Sequence, residues 1–431
     1  MNQVEYSLDL CLKCNLCTTV CPVMAVTDAF PGPKYSGPQA GRFRGGDQPT
    51  PDHSVDYCSG CRACNLVCPA DVRIAELNAR ARAGMVEQGK VDIRKRLRNN
   101  LVARAATLGK IAQPVAPLAN LALSFKPARW AAHAVLGIHH EAPFPPFSSE
   151  KFTTWFRKAD RQRATDDRNA ITRRPSPVVY FHGCSTEYYE PRVGKAAVRV
   201  LEALGFEVIV PRQNCCGLPL LSNGEFRAAR QYHENNVRSL VEYARQGIPI
   251  VGTSTSCTLT LKEEAPELLD LYDEDTRLVA EYTFDFNEFL LLQPVFPIPD
   301  FPVPLSLPYH IPCQYRAHRL GKPGLEVLER IPNLTVVDGG HTCCGIAGTY
   351  GYKTEKYDIA QAVGKPLFEW VKHFGAESTP PPLAVCDSET CRWQITHATG
   401  IPCVHPVELL AAAMGLGMEG ALADFFRRVK T

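Results

Sequence analysis

Cysteine is the residue type that dominates the chemistry available to this chain. The sequence has 18 cysteines among 431 residues, and most of them stand in short, regularly spaced groups. The first ten residues contain no apolar segment behind a basic flank, so we expect a cytoplasmic protein whose thiols stay reduced. Reduced thiols at regular spacings are typical of metal and iron–sulfur sites, not of disulfide frameworks.

Two runs near the N-terminus have the form C-x2-C-x2-C-x3-C-P and are separated by 36 residues. This pattern is typical of bacterial two-cluster ferredoxins, in which the fourth cysteine of each run ligates the other cluster. The predicted ligands of the first [4Fe–4S] cluster are Cys11, Cys14, Cys17 and Cys68, and those of the second are Cys58, Cys61, Cys64 and Cys21. Two structural zinc sites are the alternative, although zinc ribbons use paired C-x2-C units.

Two adjacent cysteine pairs, each followed by glycine, stand in the second half of the chain. They are Cys215-Cys216-Gly217 and Cys343-Cys344-Gly345. Neighbouring cysteines bridge each other only with strain, whereas their thiolates can bind one iron centre. Lone cysteines precede both pairs at matching distances, with 30 residues between Cys184 and Cys215 and 29 between Cys313 and Cys343. The spacing indicates a duplicated metal-binding unit.

Alternating strands and helices are predicted to position these cysteines. The strands expected in the first unit are 178–181, 206–210 and 248–252, and those in the second are 307–311, 334–337 and 383–385. Such alternation predicts an open parallel α/β sheet in each unit, and ligands of such sheets collect at the carboxyl ends of the strands. The cysteines expected at those ends are Cys184, Cys215, Cys216 and Cys257, and then Cys313, Cys343, Cys344 and Cys391.

The stretch from Ile93 to His140 differs from the rest of the chain because it has eight Lys and Arg residues and no Asp or Glu. Its apolar residues keep a partial helical spacing that Pro114 and Pro117 interrupt. A basic amphipathic helix suits an anionic membrane surface or an acidic partner, and the alternative is a helical connector with a solvated basic face. No apolar run reaches the roughly 18 residues of a membrane-spanning helix. The net charge of +2 argues against nucleic-acid binding.

These patterns predict a multidomain chain of mixed α+β and α/β class. We expect a two-cluster ferredoxin-like helical domain over 1–80, a basic helical connector over 81–175, and two tandem α/β modules over 176–300 and 301–431. A proline-rich interval, 294–308, separates the two modules. A turn-rich insertion from Pro31 to Gly46 is expected to be a loop, or else a surface that docks a partner.

Each α/β unit resembles the CCG module found in the B subunit of heterodisulfide reductase. Over residues 5–415 the chain resembles the iron–sulfur C subunits of anaerobic glycerol-3-phosphate dehydrogenases. The segments that carry this resemblance beyond the ligands are Pro31-Gly32-Pro33-Lys34, Phe181-His182-Gly183-Cys184, residues 343–351 (CCGIAGTYG) and residues 389–395 (ETCRWQI).

The resemblance implies two further clusters, one on Cys184, Cys215, Cys216 and Cys257 and one on Cys313, Cys343, Cys344 and Cys391. It also implies that the protein takes electrons from flavoprotein catalytic subunits and passes them toward menaquinone at the inner face of the cell membrane, with no substrate chemistry of its own. A heterodisulfide-reductase-like catalytic subunit is one alternative. The iron–sulfur subunit of a glycolate- or lactate-oxidising complex is the other.

Two serines depart from the five-cysteine version of the module. Ser254 stands three residues before Cys257, and Ser388 stands three before Cys391, where that version has cysteine. A hydroxyl is a much poorer ligand than a thiolate for iron–sulfur chemistry. We therefore expect four thiolates in each module, which favours an electron relay over a disulfide-reducing centre.

The remaining cysteines and the histidines near the ligands receive structural interpretations. Cys386 is predicted to be a buried strand cysteine, with a fifth sulfur ligand as the alternative, and Cys403 a structural core thiol. A structural role is also favoured for the three histidines beside the ligands, which are His182, His310 and His341. The alternative is an imidazole that hydrogen-bonds to cluster sulfur, which would raise the cluster's reduction potential.

The glycines after the second cysteine pair are Gly345, Gly348 and Gly351, in a G-x2-G-x2-G spacing. We interpret them as positions where the backbone approaches a cluster closely. No predicted strand leads into G-x-G-x-x-G with a later ribose-binding acid, so we expect neither flavin nor NAD in this chain.

Overall fold

The computed structural model describes residues 3–44, 52–166, 176–376 and 383–429. Its N-terminal part is built on short helices that surround the two cysteine runs. They are α1 (Gln3–Ser7), α2 (Leu16–Thr19), α3 (Ala63–Leu66) and α4 (Ile74–Glu87). Val4, Val72, Ile74 and Leu77 pack with the buried thiols of these runs into a small apolar core. The core holds both runs against α4.

The insertion that begins at Pro31 is helical in its described part, not a loop. Residues Tyr35–Gln39 form a π-helical turn that contacts α4. Ser36 ties the turn to the preceding segment, because its hydroxyl donates to the carbonyl of Gly32 at 3.1 Å. Residues 45–51, which include the end of the predicted insertion, lie outside the described residues.

The basic stretch forms consecutive helices, as predicted, with breaks near its prolines. They are α5 (Ile93–Ala103), α6 (Ala105–Ala112), α7 (Ala116–Ser124) and α8 (Lys126–Leu136), followed by α9 (Phe152–Asp166). Asp92 caps α5 by accepting hydrogen bonds from the amides of Arg94 and Lys95. Gly137, in a left-handed conformation with φ +72°, ends α8. Within the described residues, no helix combines the length and the apolar composition needed to cross a bilayer.

The first α/β unit contains four parallel strands in the order β2-β1-β3-β4. The strands are β1 (Ser176–Tyr180), β2 (Phe206–Ile209), β3 (Ile250–Gly252) and β4 (Thr283–Asp285). Its helices are α10 (Gly183–Tyr188), α11 (Pro191–Ala203), α12 (Leu218–Ser222), α13 (Phe226–Arg245), α14 (Thr255–Leu259), α15 (Ala265–Leu269), α16 (Glu274–Glu281) and α17 (Phe286–Leu291). The three predicted strands are present, and β4 was missed because its sequence, Thr-Phe-Asp, lacks the apolar run that marks the equally short β3.

The second unit repeats this topology with the order β6-β5-β7-β8. The strands are β5 (Leu305–His310), β6 (Leu334–Asp338), β7 (Ala384–Cys386) and β8 (Cys403–Val404). Its helices are α18 (Cys313–His318), α19 (Pro323–Leu328), α20 (Thr354–Ala376), α21 (Glu389–Thr399), α22 (Pro406–Ala413) and α23 (Gly420–Val429). All strand pairs in both sheets are parallel, as the strand–helix alternation predicts.

The two sheets share one hydrophobic core. Tyr180 and Val251 of the first sheet and Tyr309 and Val385 of the second belong to the same buried cluster. Helices α11 and α22, one from each unit, pack against each other. This shared core fixes the carboxyl ends of both sheets, and thus their cysteines, relative to each other.

Candidate iron–sulfur sites

The eight N-terminal cysteines line two small cavities, and each cavity combines three cysteines of one run with the last cysteine of the other. The first cavity is lined by Cys11, Cys14, Cys17 and Cys68, and the second by Cys21, Cys58, Cys61 and Cys64. The structure therefore brings together the four members of each predicted ferredoxin quartet.

Left-handed backbone turns let the C-x2-C segments curl around these cavities. Lys13 and Asn15 have φ values of 59° and 72°, and Gly60 and Arg62 occupy the same region at 71° and 59°. Non-glycine residues rarely adopt this conformation, and such outliers cluster at functional sites.

Two N–H groups point at sulfurs of these quartets. The amide of Val72 donates to Cys68 Sγ at 3.3 Å, and the side-chain amide of Asn78 donates to Cys58 Sγ at 3.4 Å. Hydrogen bonds to the sulfurs are one of the features that set the potential of an iron–sulfur cluster.

In the first α/β unit the cysteines lie at the carboxyl ends of three strands. Cys184 is in α10 after β1, the Cys215–Cys216 pair follows β2, and Cys257 is in α14 after β3. The sulfurs of Cys184 and Cys215 are 3.6 Å apart. Cys216 hydrogen-bonds to Cys215 and Cys257, and these bonds, together with burial, raise its pKa. We call these four residues the first module quartet.

The second unit places its cysteines equivalently. Cys313 begins α18, the Cys343–Cys344 pair follows β6, and Cys391 lies in α21 after β7. The sulfurs of Cys344 and Cys391 are 3.0 Å apart. A hydrogen bond to Cys343, followed by burial, raises the pKa of Cys313. These four residues form the second module quartet.

A single cavity of about 150 Å³ between the N-terminal part and the sheets is lined by both module quartets and by Cys58 and Cys61. Burial, together with the nearby thiol of Cys343, raises the pKa of Cys61 to about 12. The thiol of Cys21, in the second ferredoxin quartet, neighbours that of Cys17 in the first. Burial raises the pKa of Cys21, and the nearby thiols of Cys58 and Cys17 raise it further. The four quartets are therefore neighbours in one continuous series.

The donor sets fit iron–sulfur clusters. Every cysteine of the chain is described, and all 18 are free thiols. The two ferredoxin cavities contain thiols and no carboxylate among their lining residues. Soft thiolate ligands without competing hard oxygen donors select iron–sulfur chemistry.

The two serines that replace module cysteines have different surroundings. The hydroxyl of Ser254 donates to Glu389 of the other module at 2.9 Å and caps α14. The hydroxyl of Ser388 is buried and has no hydrogen-bond partner among the described residues. The hydroxyl of Ser254 thus has partners that include Glu389 and the amide of Cys257, whereas that of Ser388 has none among the described residues.

Cys386 and Cys403 are both buried in strands of the second sheet, as predicted. Burial and a hydrogen bond to Cys391 raise the pKa of Cys386. Cys386 therefore contacts a member of the second module quartet, which the sequence presented only as an alternative.

The three histidines near the ligands have different environments. His182 is buried, and its Nδ1 lies 2.7 Å from the carbonyl oxygen of Gly183, in agreement with the structural role predicted for it. His341 packs beside Trp370. His310 is buried without an oxygen or nitrogen partner among the described residues, and a ring nitrogen lies within 4.8 Å of the sulfurs of Cys344 and Cys391.

Gly345 and Gly348 line the cavity of the module quartets, and the amide of Gly345 donates to Cys343 Sγ at 3.3 Å, in agreement with the predicted approach of the backbone to a cluster. Two of the three glycines also lie close to α20. A Cβ atom at Gly345 would lie 1.9 Å from the carbonyl oxygen of Ala360 in α20, and one at Gly351 would lie 2.8 Å from Ile346 and 3.1 Å from Ala360. Gly348 has φ +62° and open space around it. Close approach to α20 therefore requires Gly345 and Gly351, whereas a left-handed turn requires Gly348.

Arg62 is a residue of the site that the sequence did not single out. It is buried between Cys61 and Cys64, and its guanidinium contacts Glu76 at 2.7 Å, Glu267 at 2.9 Å and Glu263 at 3.0 Å. Two of these glutamates belong to the first α/β unit. Because the partners lie about 200 positions away, no local signal could reveal the contact.

A second buried cation joins the N-terminal part to the second unit. Lys356 of α20 contacts the carboxylate of Asp56 at 2.9 Å and its carbonyl at 2.6 Å. Paired buried charges are costly to separate, so Arg62 and Lys356 fix the second ferredoxin quartet against both module quartets.

Comparison with known proteins agrees with this arrangement. A 4Fe-4S dicluster domain family matches residues 7–72, and a cysteine-rich domain family (CCG) matches residues 178–262 and 307–396. The C subunit of anaerobic glycerol-3-phosphate dehydrogenase from Escherichia coli (strain K12) is 38% identical over 413 residues, which span 95% of this chain and 99% of that protein.

More distant relatives match only part of the chain. The B subunit of fumarate reductase (CoM/CoB) from Methanothermobacter marburgensis is 31% identical over 49% of this chain and 40% of its own length. Lactate utilization protein A of Bacillus subtilis is 28% identical over 46% of this chain and 84% of its own length. A hypothetical protein from Helicobacter pylori superposes with a TM-score of 0.37 and 12% identity over 63% of this chain and 56% of that chain.

Proposed function

The chain belongs to the family of anaerobic glycerol-3-phosphate dehydrogenase C subunits, and from that premise we propose that it carries electrons from a flavoprotein catalytic dimer to menaquinone at the membrane. Each bound [4Fe–4S] cluster supplies one-electron redox chemistry. The chain's own residues hold the clusters in series, exclude water from them and present the two ends of the series to partners.

The observation that carries this proposal is the continuity of the four quartets. Cys17 and Cys21 link the two ferredoxin quartets, and Cys61 adjoins Cys313 and Cys343 of the second module quartet. Both module quartets line the same cavity. A series of neighbouring redox sites is what a relay requires, and a single catalytic centre would not require it.

The surface beside the first ferredoxin quartet supports electron input at that end. Cys14 is exposed, and so are the apolar side chains of Tyr6, Leu12 and Leu16. Exposed apolar side chains grouped on a surface mark sites of protein association. We propose that the flavoprotein docks here.

The basic helices support membrane contact at the other end. Arg94, Lys95 and Arg96 are exposed at the start of α5, and we call them the α5 cation cluster. Arg98, which the sequence grouped with them, is buried and bonded to both carboxylate oxygens of Glu355 at 2.7 Å, so it is not available to lipid. Near an anionic leaflet each exposed cation contributes on the order of 1 kcal/mol to binding.

The exposed face of α6 and α7 adds apolar side chains to this basic surface, among them Ile111, Leu118 and Leu121. The opposite face packs on the first module, where Gly109 touches the ring of Tyr188 closely. The helices therefore act as a connector on their inner side, and we propose that they contact lipid on their outer side.

Iron and acid-labile sulfide analysis of anaerobically purified protein, with EPR, tests the relay. Four loaded quartets give about 16 irons per chain. Cys61→Ser should lower the count, while Cys403→Ser, at a buried thiol outside the quartets, serves as the matched control and should leave it unchanged. A count of about eight irons in the wild-type protein would contradict the four-cluster relay.

A further inference from the structure

A cavity of about 760 Å³ lies between the basic helices and the second module, outside the cysteine quartets. Small-molecule sites are typically about 300–1,000 Å³, mostly apolar, with a few polar groups that fix orientation. Aromatic side chains form two of its walls, Trp130 and His140 on one side and Tyr189 and Trp393 on the other. These aromatic walls suit a flat ring, and two arginines of the lining, Arg192 and Arg392, are both paired with Glu190.

The inner wall of this cavity adjoins both module quartets. Tyr189 directly follows α10, the helix that carries Cys184. Trp393 is two residues from Cys391 on α21. Cys403 also lines the cavity and belongs to the same buried cluster as Cys344 and Cys391. The inner wall is therefore built on elements that carry cysteines of both module quartets.

The mouth of the cavity is formed by α7 and α8. Leu123, Ser124, Lys126 and Trp130 line it. Leu121 of α7 and Phe125, the residue between the two helices, are exposed, so the mouth opens on the apolar part of the proposed membrane surface. A lipophilic tail could therefore extend from the cavity into the bilayer while its headgroup stays inside.

Polar groups of the cavity wall can meet a ring carbonyl. His140 Nδ1 and Trp393 Nε1 have no hydrogen-bond partner among the described residues. His397 Nε2 lies 3.2 Å from the Tyr357 hydroxyl. The wall thus combines hydrogen-bonding groups with imidazoles that can exchange protons with solvent.

From these observations we propose that this cavity binds the headgroup of a quinone with a lipophilic side chain, and this inference rests on the proposed electron-transfer function. Reduction takes two electrons, supplied one at a time by the reduced clusters that the flavoprotein feeds, and two protons, supplied from solvent through the imidazoles of His140 and His397. Both ring carbonyls become hydroxyls, and the quinol leaves through the mouth.

Equilibrium dialysis of a short-chain naphthoquinone against the oxidised, cluster-loaded protein tests the site directly. Trp130→Ala removes one aromatic wall of the cavity, and because the Trp130 side chain is 54% exposed, the variant should still fold. It should weaken naphthoquinone binding by about three- to tenfold. Ser124→Trp, at an exposed position of the mouth, should abolish binding by steric obstruction. Val135→Ala, at an exposed position of α8 that does not line the cavity, is the matched control and should bind like wild type. Wild-type affinity in both cavity variants would overturn the proposal.

Reoxidation of the dithionite-reduced protein separates this inference from the proposed function. Ferricyanide should reoxidise wild type and all variants alike, whereas the naphthoquinone should reoxidise the two cavity variants more slowly. If the naphthoquinone reoxidises the cavity variants at the wild-type rate, the site is wrong and the relay stands. If neither acceptor reoxidises the wild-type protein, the relay itself is wrong.

Discussion

Replacement of Gly345 by alanine should disrupt the second module selectively. A Cβ at this position would lie 1.9 Å from the carbonyl oxygen of Ala360 and 3.1 Å from the amide nitrogen of Gly364. Both contacts are with the backbone of α20, a 23-residue helix that cannot yield locally as a flexible side chain does. Relief therefore requires the Cys343–Cys344 turn to move away from the helix.

The magnitude follows from two contributions. Gly345 has φ +83°, and a residue with a Cβ in that region costs roughly 1–2 kcal/mol. Overpacking of a closed site adds about 1–3 kcal/mol. Gly340 is the matched control, because its φ of +69° carries the same backbone cost while nothing lies within 4 Å of its Cβ position. We expect Gly345→Ala to lower the free energy of unfolding by about 2–5 kcal/mol and Gly340→Ala by about 1–2 kcal/mol.

Anaerobic urea unfolding followed by far-UV circular dichroism measures the difference, and iron analysis with EPR shows whether one quartet is emptied. Loss of iron should accompany Gly345→Ala and not Gly340→Ala. If the two variants unfold at the same urea concentration and retain equal iron, the close approach of Gly345 to α20 has no energetic role.

Arg62→Met should destabilise the protein by roughly 3–5 kcal/mol in urea unfolding, because it leaves the buried carboxylates of Glu76 and Glu264 without their cation. Burial raises the pKa of Glu264, beside Arg62, to about 7, so the folded state binds this proton more tightly than the unfolded state and stability falls as pH rises toward 7. The loss of unfolding free energy caused by Arg62→Met should therefore be smaller at pH 6 than at pH 8. An equal loss at the two pH values would contradict this reasoning. His310→Leu removes the imidazole beside Cys344 and Cys391. The midpoint potential of one cluster should fall in an EPR redox titration, while the iron content stays constant. An unchanged potential would assign His310 a purely structural role. Charge neutralisation of the α5 cation cluster to glutamine should weaken flotation with anionic liposomes and leave binding to neutral liposomes unchanged, and equal flotation would remove this surface from the proposed membrane contact.

Local spacing predicted most of the secondary structure, and the structure places together the N-terminal cysteines that the spacing assigns to each cluster. The predicted strands that precede Cys184 and Cys313 are β1 and β5, each within a few residues of the expected bounds. The strands β4 (TFD) and β8 (CV) were missed because, unlike the three-residue strands β3 (IVG) and β7 (AVC), neither has a run of three apolar residues. The insertion after Pro31 was misjudged, because its turn-forming residues lie in a helical turn held by contact with α4.

The sequence by itself determined the chemistry, because ligand type and spacing are local properties: thiols at C-x2-C intervals and paired cysteines at strand ends are readable along the chain. The tertiary structure decided how the quartets are connected. Arg62, Lys356 and the shared core of the two sheets place Cys61 beside Cys343, and these contacts join residues that are hundreds of positions apart. It also decided that Arg98 pairs with Glu355 instead of facing lipid, and that Gly345 is required by a helix. Packing between distant elements sets each of these outcomes, and no local pattern encodes it.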